Sequence, residues 1–124
     1  MSYTGKIQLT LIVTAGPDQV AEGDRIFKSH LPWMKATHPK DGDKALLNYN
    51  VSKAAEMNNP MDPNSGTTGN TQFILSEVYA SPAGVSNHFD LAENTWDDFP
   101  AFMAWLGNCK STLVPVAEIG NSLW

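Results

Sequence analysis

Four segments of the chain have the apolar composition and spacing of β-strands. The third is the clearest, since its residues are mostly aromatic, aliphatic or β-branched and do not recur at helical spacing. Its run includes one carboxylate, Glu77, in a strand whose pattern predicts burial on both faces. The four predicted strands cover residues 7–14, 46–51, 73–79 and 112–119.

Helical patterns occupy three of the intervals: residues 19–37, the stretch that begins at Pro82, and residues 97–106. Ser81 is the predicted cap of the second helix, because its side chain can accept from free N–H groups and Pro82 suits the first helical position. His88 lies on the apolar stripe of this helix and should therefore point toward the sheet. Pro32 is predicted to kink or split the first helix, since proline removes one backbone hydrogen bond.

A long connection rich in Pro, Gly and Asn, residues 58–70, joins the second and third strands. We predict a hairpin loop there, and because long loops without secondary structure are often functional, this one is a candidate cover for a pocket. Its glycines do not form a phosphate-binding pattern. No Lys-Ser or Lys-Thr follows Gly69, and the loop leads into a strand where a nucleotide-binding loop would lead into a helix.

The order of these elements is strand, helix, strand, strand, helix, strand, with an extra short helix before the last strand. This is the ferredoxin-like βαββαβ plan, which predicts an α+β protein with a four-stranded antiparallel sheet and helices on one face. The strands carry apolar residues at both alternating sets of positions, so the other face needs a cover. A second copy packed sheet against sheet is the simplest cover. We therefore predict a homodimer through the sheet face.

Composition narrows the class of protein further. The 124 residues are expected to form a single domain, 1–124, and the net charge of -5 with scattered basic residues argues against a nucleic-acid partner. Cys109 is the one cysteine, which excludes an internal disulfide and catalysis by a cysteine pair. No run of about 18 apolar residues predicts a membrane span, and no apolar signal segment follows the N-terminus. The expected location is the cytoplasm.

Glu77 and His88 are the candidate catalytic residues. A carboxylate in a buried strand requires a partner, and His88 is the nearest candidate in sequence. The alternative is structural: His88 would be a hydrogen-bonded core histidine, and Glu77 would lie near a sheet edge or a subunit boundary. The spacing of these residues leaves both interpretations open.

Other chemistries find less support. His30 and His38 are separated by Pro32 and a predicted helix end, so no compact pair of metal ligands is evident and no metal site is predicted. Ser81, His88 and Asp90 could be arranged as a catalytic triad, but Ser81 is better explained as a helix cap.

With these residues in view, the sequence resembles the antibiotic biosynthesis monooxygenase family. The resemblance covers residues 6–92 and is carried by the segment 37–51, THPKDGDKALLNYNV, by Phe73-x-x-x-Glu77-x-Tyr79, and by the helix with Asn87-His88-Phe89. It implies ferredoxin-like subunits paired as a dimeric α+β barrel, and a pocket between sheet and helices lined by Glu77, Tyr79 and His88. Its members include cofactor-independent oxygenases, haem-degrading enzymes and an isomerase.

Two departures from the family pattern matter. The first predicted strand lacks the pocket Asn of the aromatic-polyketide oxygenases and haem degraders, and the axial histidine of the haem degraders is replaced in the region of Trp96. A haem role is therefore not expected, and no cofactor is predicted.

The resulting hypothesis is a cofactor-independent monooxygenase or a related general-base enzyme for a small aromatic, quinol or carbonyl compound. His88 would take a proton from the substrate, and Glu77 would orient the imidazole and stabilise its charge. The same base could drive an isomerisation. The alternative is a noncatalytic protein that binds a small hydrophobic ligand in the same cavity. The predicted ligand-binding residues are Tyr79, Tyr49, Trp33 and His38.

Overall fold

The computed structural model describes residues 2–124. Four strands and three α-helices follow one another in the predicted order, and a short 3-10 turn, Pro17–Gln19, precedes the first helix. In chain order the elements are β1 (Ile7–Ala15), α1 (Val20–Thr37), β2 (Leu46–Met57), β3 (Thr67–Tyr79), α2 (Pro82–Thr95), α3 (Phe99–Gly107) and β4 (Lys110–Glu118).

The four strands form one antiparallel sheet in the order β2-β3-β1-β4. The two central strands β1 and β3 alternate, so that Leu9, Leu11, Phe73 and Leu75 are buried on the face that the helices cover. This architecture confirms the predicted α+β, ferredoxin-like fold with an added short helix.

The hairpin formed by β2 and β3 is longer than the sequence indicated. The ladder continues to the pair Met57–Thr67, so the connection is residues 58–66 and not 58–70. This part of the hairpin is largely exposed and its residues are mainly polar or small, which is why no apolar alternation marks it. Side-chain bonds support the ladder there: Thr68 and the Asn70 amide both donate to Oε1 of Glu56, at 2.8 and 3.2 Å.

The prediction that Pro32 would split the first helix is wrong, because α1 is continuous from Val20 to Thr37. Pro32 lies on the exposed side of α1. The carbonyl oxygen that loses its donor, four residues earlier at Lys28, can bond to water there, so the helix tolerates the proline.

The start of α2 is as predicted. The Ser81 side chain accepts from the N–H of Ala83 at 3.2 Å, and its hydroxyl donates to the carbonyl oxygen of Asp43 at 2.6 Å. Gly84 follows in the first turn and permits a close approach to the sheet. A Cβ at this position would lie 2.7 Å from Cδ1 of Tyr79, so the glycine brings α2 down onto the end of β3.

The packing of α1 depends on a second glycine. A Cβ on Gly23 would lie 2.5 Å from Cζ2 of Trp105 and 2.7 Å from Cζ of Phe73. Trp105 is itself buried, and its indole N–H donates to the carbonyl oxygen of Gln19 at 2.9 Å. Gly23 thus allows α1, α3 and the sheet to meet around one aromatic cluster.

The face of the sheet without helices is mixed, and not apolar throughout as the alternation indicated. Ile12 and Ile74 lie opposite each other, and Ile12 is 38% exposed. Polar residues flank them, and the side chain of Gln8 donates to Ser76 at 3.1 Å.

The outer strand β4 has exposed apolar side chains at Leu113, Val114 and Val116, and its pairing with β1 shifts register around Pro115. Among residues 2–124, no helix has the length and apolar character needed to cross a membrane.

Candidate functional site

Glu77 is completely buried in β3, on the face that the helices cover. Its neighbours in register are Leu9 on β1 and Tyr49 on β2. The Tyr79 hydroxyl, two residues along the same strand face, donates a hydrogen bond to Oε1 of Glu77. Oε2 of Glu77 has no hydrogen-bond partner among the residues that the structure describes. A buried carboxyl group is thus paired on one oxygen only.

His88 reaches this carboxyl group from α2, on the apolar stripe where the sequence placed it. Its Nε2 lies 3.7 Å from Oε1 of Glu77, which is too long for a direct hydrogen bond. The predicted proximity of Glu77 and His88 is therefore present, but the hydrogen bond that the carboxyl group accepts comes from Tyr79.

A chain of hydrogen bonds fixes the tautomer of His88. The hydroxyl of Thr37 donates to the carbonyl oxygen of Trp33 at 2.7 Å, so its oxygen is left to accept from Nδ1–H of His38 at 3.0 Å. Nε2 of a neutral His38 then has no proton and accepts from Nδ1–H of His88 at 2.9 Å. The network therefore assigns a free lone pair to Nε2 of His88, the ring nitrogen that lies 3.7 Å from Oε1 of Glu77.

His30 completes the site from α1. Its Nδ1 lies 2.7 Å from the Tyr49 hydroxyl, and its ring meets that of His88 edge-on, with centroids 6.0 Å apart. One ligand-type atom from each of His30, Glu77 and His88 lies within 4.8 Å of the other two. Three buried titratable groups from three elements therefore converge on one point.

Burial sets the protonation of this cluster. It lowers the pKa of both His30 and His88 to about 3, with further lowering by neighbouring histidines, His38 in both cases. Burial raises the pKa of Glu77 to about 7, although the Tyr79 hydrogen bond acts in the opposite direction. The histidines are therefore neutral at neutral pH, while Glu77 is divided between its protonated and ionised forms.

Two tryptophans enclose the histidines. The rings of Trp33 and Trp96 stack with centroids 5.4 Å apart, and Trp96 meets His30 edge-on at 4.9 Å. Their indole N–H groups are both bonded, Trp33 to Oγ1 of Thr95 and Trp96 to Oγ of Ser29, each at 3.0 Å. These bonds tie α1 to α2 and fix the walls around the imidazole rings.

A cavity of about 260 Å³ lies between the sheet and helices α2 and α3. Its rim includes Phe89, Met103 and Leu113, which are 39, 51 and 46% exposed and mark the side open to solvent. The walls are otherwise apolar or aromatic, apart from His30 and His88. The remaining lining residues are Leu9, Leu11, Leu75, Ala92, Trp96, Phe99, Phe102 and Leu106.

Of the predicted catalytic residues, His88 lines this cavity and Glu77 lies behind it. The four residues assigned to ligand binding are not among the residues that line this cavity. Each contacts His30 or His88 through a hydrogen bond or a ring contact. These supporting residues are Tyr79, Tyr49, Trp33 and His38.

The sequence does not predict His30 at a metal site, because Pro32 and a predicted helix end separate it from His38. In the structure, the histidine that approaches His30 at this point is His88 from α2, and not His38, which follows the end of α1. The sequence did contain a signal, since Ile26, His30 and Met34 follow one buried stripe of a helix. Trp96 was likewise not expected as a wall residue.

No protein-family model matches the chain, and no curated protein matches it. Among solved structures, the chain is similar to a dimeric ferredoxin-like protein from an uncultured marine organism. The two share 16% identity at a TM-score of 0.51, over 90% of this chain and 95% of that one. This similarity supports the ferredoxin-like fold.

Proposed function

We propose that this protein is a general-base enzyme that binds a small, mainly apolar molecule in the cavity and removes a proton from it with His88. The observation that carries the proposal is the free lone pair on Nε2 of a histidine that lines an otherwise apolar cavity. An apolar enclosure favours an aromatic or carbonyl-bearing ligand, because few polar groups are present to bind a hydrophilic one.

The proposed roles of the three groups follow from their positions. His88 takes the proton on Nε2, and the carboxylate of Glu77 at 3.7 Å stabilises the imidazolium that forms. This help is needed, since burial lowers the pKa of His88 and makes the isolated imidazole a weak base. His38 acts as a positioning residue, because it accepts the Nδ1–H of His88 and so keeps Nε2 free.

As a monooxygenase, the enzyme would use dioxygen as its oxidant. Loss of a proton from a CH₂ group activated by a phenolic ring or carbonyl gives a carbanion, which adds O₂ to form a C–O bond and a peroxide anion. His88 returns its proton to the peroxide. Breakage of the O–O bond with loss of the second C–H proton then yields a ketone and water. Without oxygen, return of the proton to a different carbon would give an isomerisation.

The resemblance to the antibiotic biosynthesis monooxygenase family supports this proposal, because three residues at matching motif positions lie together in the structure. Glu77, Tyr79 and His88, which correspond to family pocket positions, cluster on the helix-covered face of a ferredoxin-like sheet. The first strand, β1, lacks the Asn of the polyketide oxygenase branch, so the proposal does not extend to polyketide substrates.

We also propose that two copies of the chain pair through the sheet face without helices. The similar solved structure is described as dimeric, and Ile12 and Ile74 form an apolar centre on that face. Light scattering with size-exclusion chromatography tests this directly. A dimer that dissociates when Ile12 is replaced by Lys supports the interface, whereas a monomer at micromolar concentration refutes it.

A second candidate function, ligand binding without turnover, is favoured by the nearly complete apolar lining. The variant His88→Gln distinguishes catalysis from binding alone, and Asp90→Asn on the exposed side of α2 is the matched control. Wild type and variants are screened against naphthols, hydroquinones and aryl ketones, with product analysis and oxygen uptake. Tryptophan fluorescence gives affinity, since Trp96 lines the cavity.

Catalysis by His88 predicts that His88→Gln loses turnover by roughly 100-fold or more and keeps the affinity for the ligand within a few fold. Asp90→Asn should retain both. If ligands bind and no product forms with wild type, the protein is a binder. If His88→Gln changes neither property, His88 is a structural core residue.

A further inference from the structure

The point where His30, Glu77 and His88 meet has the composition of a metal site. Each residue contributes one candidate ligand atom, these atoms lie within 4.8 Å of one another, and all three side chains are buried. They come from α1, β3 and α2, so the cluster forms only when the domain is folded.

An independent observation points to a missing positive partner. Oε2 of Glu77 is buried and has no hydrogen-bond partner among residues 2–124, although buried polar atoms are nearly always satisfied. The other oxygen has only the Tyr79 hydroxyl. No Lys or Arg forms an ion pair with this carboxyl group in the described part of the chain.

The hydrogen bonds of the two histidines match those that commonly orient metal-bound histidines. Metal-bound histidines commonly donate the N–H of one ring nitrogen to a protein acceptor, which fixes the tautomer and leaves the other nitrogen as ligand. His88 donates Nδ1–H to His38, which leaves Nε2 free. For His30, the Tyr49 hydroxyl at 2.7 Å from Nδ1 can serve as that acceptor.

From this geometry we propose that His30, Glu77 and His88 bind a divalent transition-metal cation. Two imidazoles and one carboxylate are ligands suited to Zn²⁺, Fe²⁺, Co²⁺ or Mn²⁺, whereas Mg²⁺ and Ca²⁺ prefer oxygen ligands alone. Three protein ligands leave at least one coordination position open, as catalytic metal sites do. His30 and His88 also line the cavity, so a molecule bound there would lie next to two of the residues that hold the cation.

The distances require only a modest contraction. Ligands about 2.1 Å from a tetrahedral cation lie about 3.4 Å from one another. Nε2 of His88 and Oε1 of Glu77 are already 3.7 Å apart, and the widest separation in the group is within 4.8 Å. A shift of up to about 1.4 Å by one imidazole closes the site.

This inference goes beyond the proposed function, and the two compete for one lone pair. A cation on Nε2 of His88 prevents that atom from taking a proton from a substrate. Metal binding is therefore measured without substrate, and base catalysis is measured with a chelator present, so that either proposal can fail alone.

The test uses chain without a histidine tag, treated with chelator and dialysed. Titration with Co²⁺ is followed by its visible absorption bands, and titration with Zn²⁺ by calorimetry. The expected result is one equivalent per chain, a higher Tm with Zn²⁺, and binding weakened by roughly tenfold or more in Glu77→Gln and His88→Gln. Asp90→Asn, which changes an exposed carboxylate on α2, should bind as wild type does.

The proposal is overturned if wild type shows neither Co²⁺ bands nor calorimetric heat, or if Glu77→Gln binds with the affinity of wild type. Circular dichroism shows whether each variant folds. If His88→Gln does not fold, Glu77→Gln decides the matter, because Gln has nearly the same shape as Glu. Zn²⁺ that binds and suppresses turnover by the chelator-treated protein would uphold both proposals. Co²⁺ binding by a protein without turnover would uphold the metal site alone.

Discussion

Replacing Glu77 by Gln should make the stability difference between variant and wild type depend on pH. The substitution keeps the shape of the side chain and an acceptor for the Tyr79 hydroxyl, and it removes the titrating group. Burial raises the pKa of Glu77 from 4.5 to about 7 in the folded protein. The native state therefore holds the proton more tightly than the unfolded chain does.

The sign follows from proton linkage. As pH rises from 4.5 toward 7, the unfolded chain loses its proton first, so the contribution of Glu77 to the free energy of unfolding falls across this window. At about 1.4 kcal/mol per pKa unit, the whole fall over the 2.5 units from 4.5 to about 7 is roughly 3 to 4 kcal/mol. Glu77→Gln lacks this loss. The unfolding free energy of the variant minus that of wild type should therefore increase by about 2 to 3 kcal/mol as the pH is raised from about 5 to about 8.

Urea unfolding of both proteins, followed by tryptophan fluorescence in the presence of a chelator, measures the effect. The buried histidines act in the opposite direction, because the lowered pKa of His30 and His88 makes stability rise with pH between about 3 and 6.5. Above about pH 5 both histidines are already neutral in the folded state, so the slope that they add between pH 5 and pH 8 comes from the unfolded chain and cancels in the difference. Glu93→Gln, on the surface of α2, reports the same chemical change outside the core.

Two outcomes would refute this reasoning. A difference that is constant with pH would mean that Glu77 has the same proton affinity in the folded and unfolded states. If the stability of wild type increases relative to that of Glu77→Gln as pH rises, the native site stabilises the ionised carboxylate. A donor or cation would then compensate for the burial of its charge.

Three further changes test the packing. Tyr79→Phe removes the hydroxyl that donates to Glu77 and should lower the unfolding free energy measured in urea by about 1 to 3 kcal/mol, and an unchanged value would mean that the bond contributes nothing. Gly23→Ala places a methyl group 2.5 Å from Trp105 and should lower Tm by several degrees, or more if α1 must shift, whereas an equal Tm would show that the aromatic cluster yields freely. Pro32→Ala restores an α1 hydrogen bond at an exposed position and should raise stability by about 1 kcal/mol or more, and a loss would mean that the proline fits α1 better than alanine.

The parts of the fold that local sequence patterns specify were predictable. Alternation in β1 and the Ser81-Pro82 start of α2 act within a few residues, so both elements appear where the pattern placed them. The long hairpin was not predictable in this way. Its outer part is held by ladder hydrogen bonds between exposed residues, and hydrogen bonds leave no apolar periodicity in the sequence.

The candidate site was predictable as a neighbourhood but not as a geometry. Alternation with a period of two places Glu77 and Tyr79 on one face of β3, a relation that points directly to the observed hydrogen bond. The position of His30 depends on how α1 crosses the sheet beside α2. That arrangement is set by tertiary contacts such as the close approach at Gly23, which no pattern along the chain reports.

The outer strand β4 ends the sheet with a free row of backbone groups, which in many proteins recruits further strands and leads to fibrils. Here the register shift around Pro115 interrupts that row, and proline offers no N–H to an incoming strand. Exposed valines on either side would otherwise favour such growth. Pro115 therefore opposes strand-by-strand growth at the β4 edge, so that the exposed apolar residues of this strand do not make it a template for the open-ended addition of further chains.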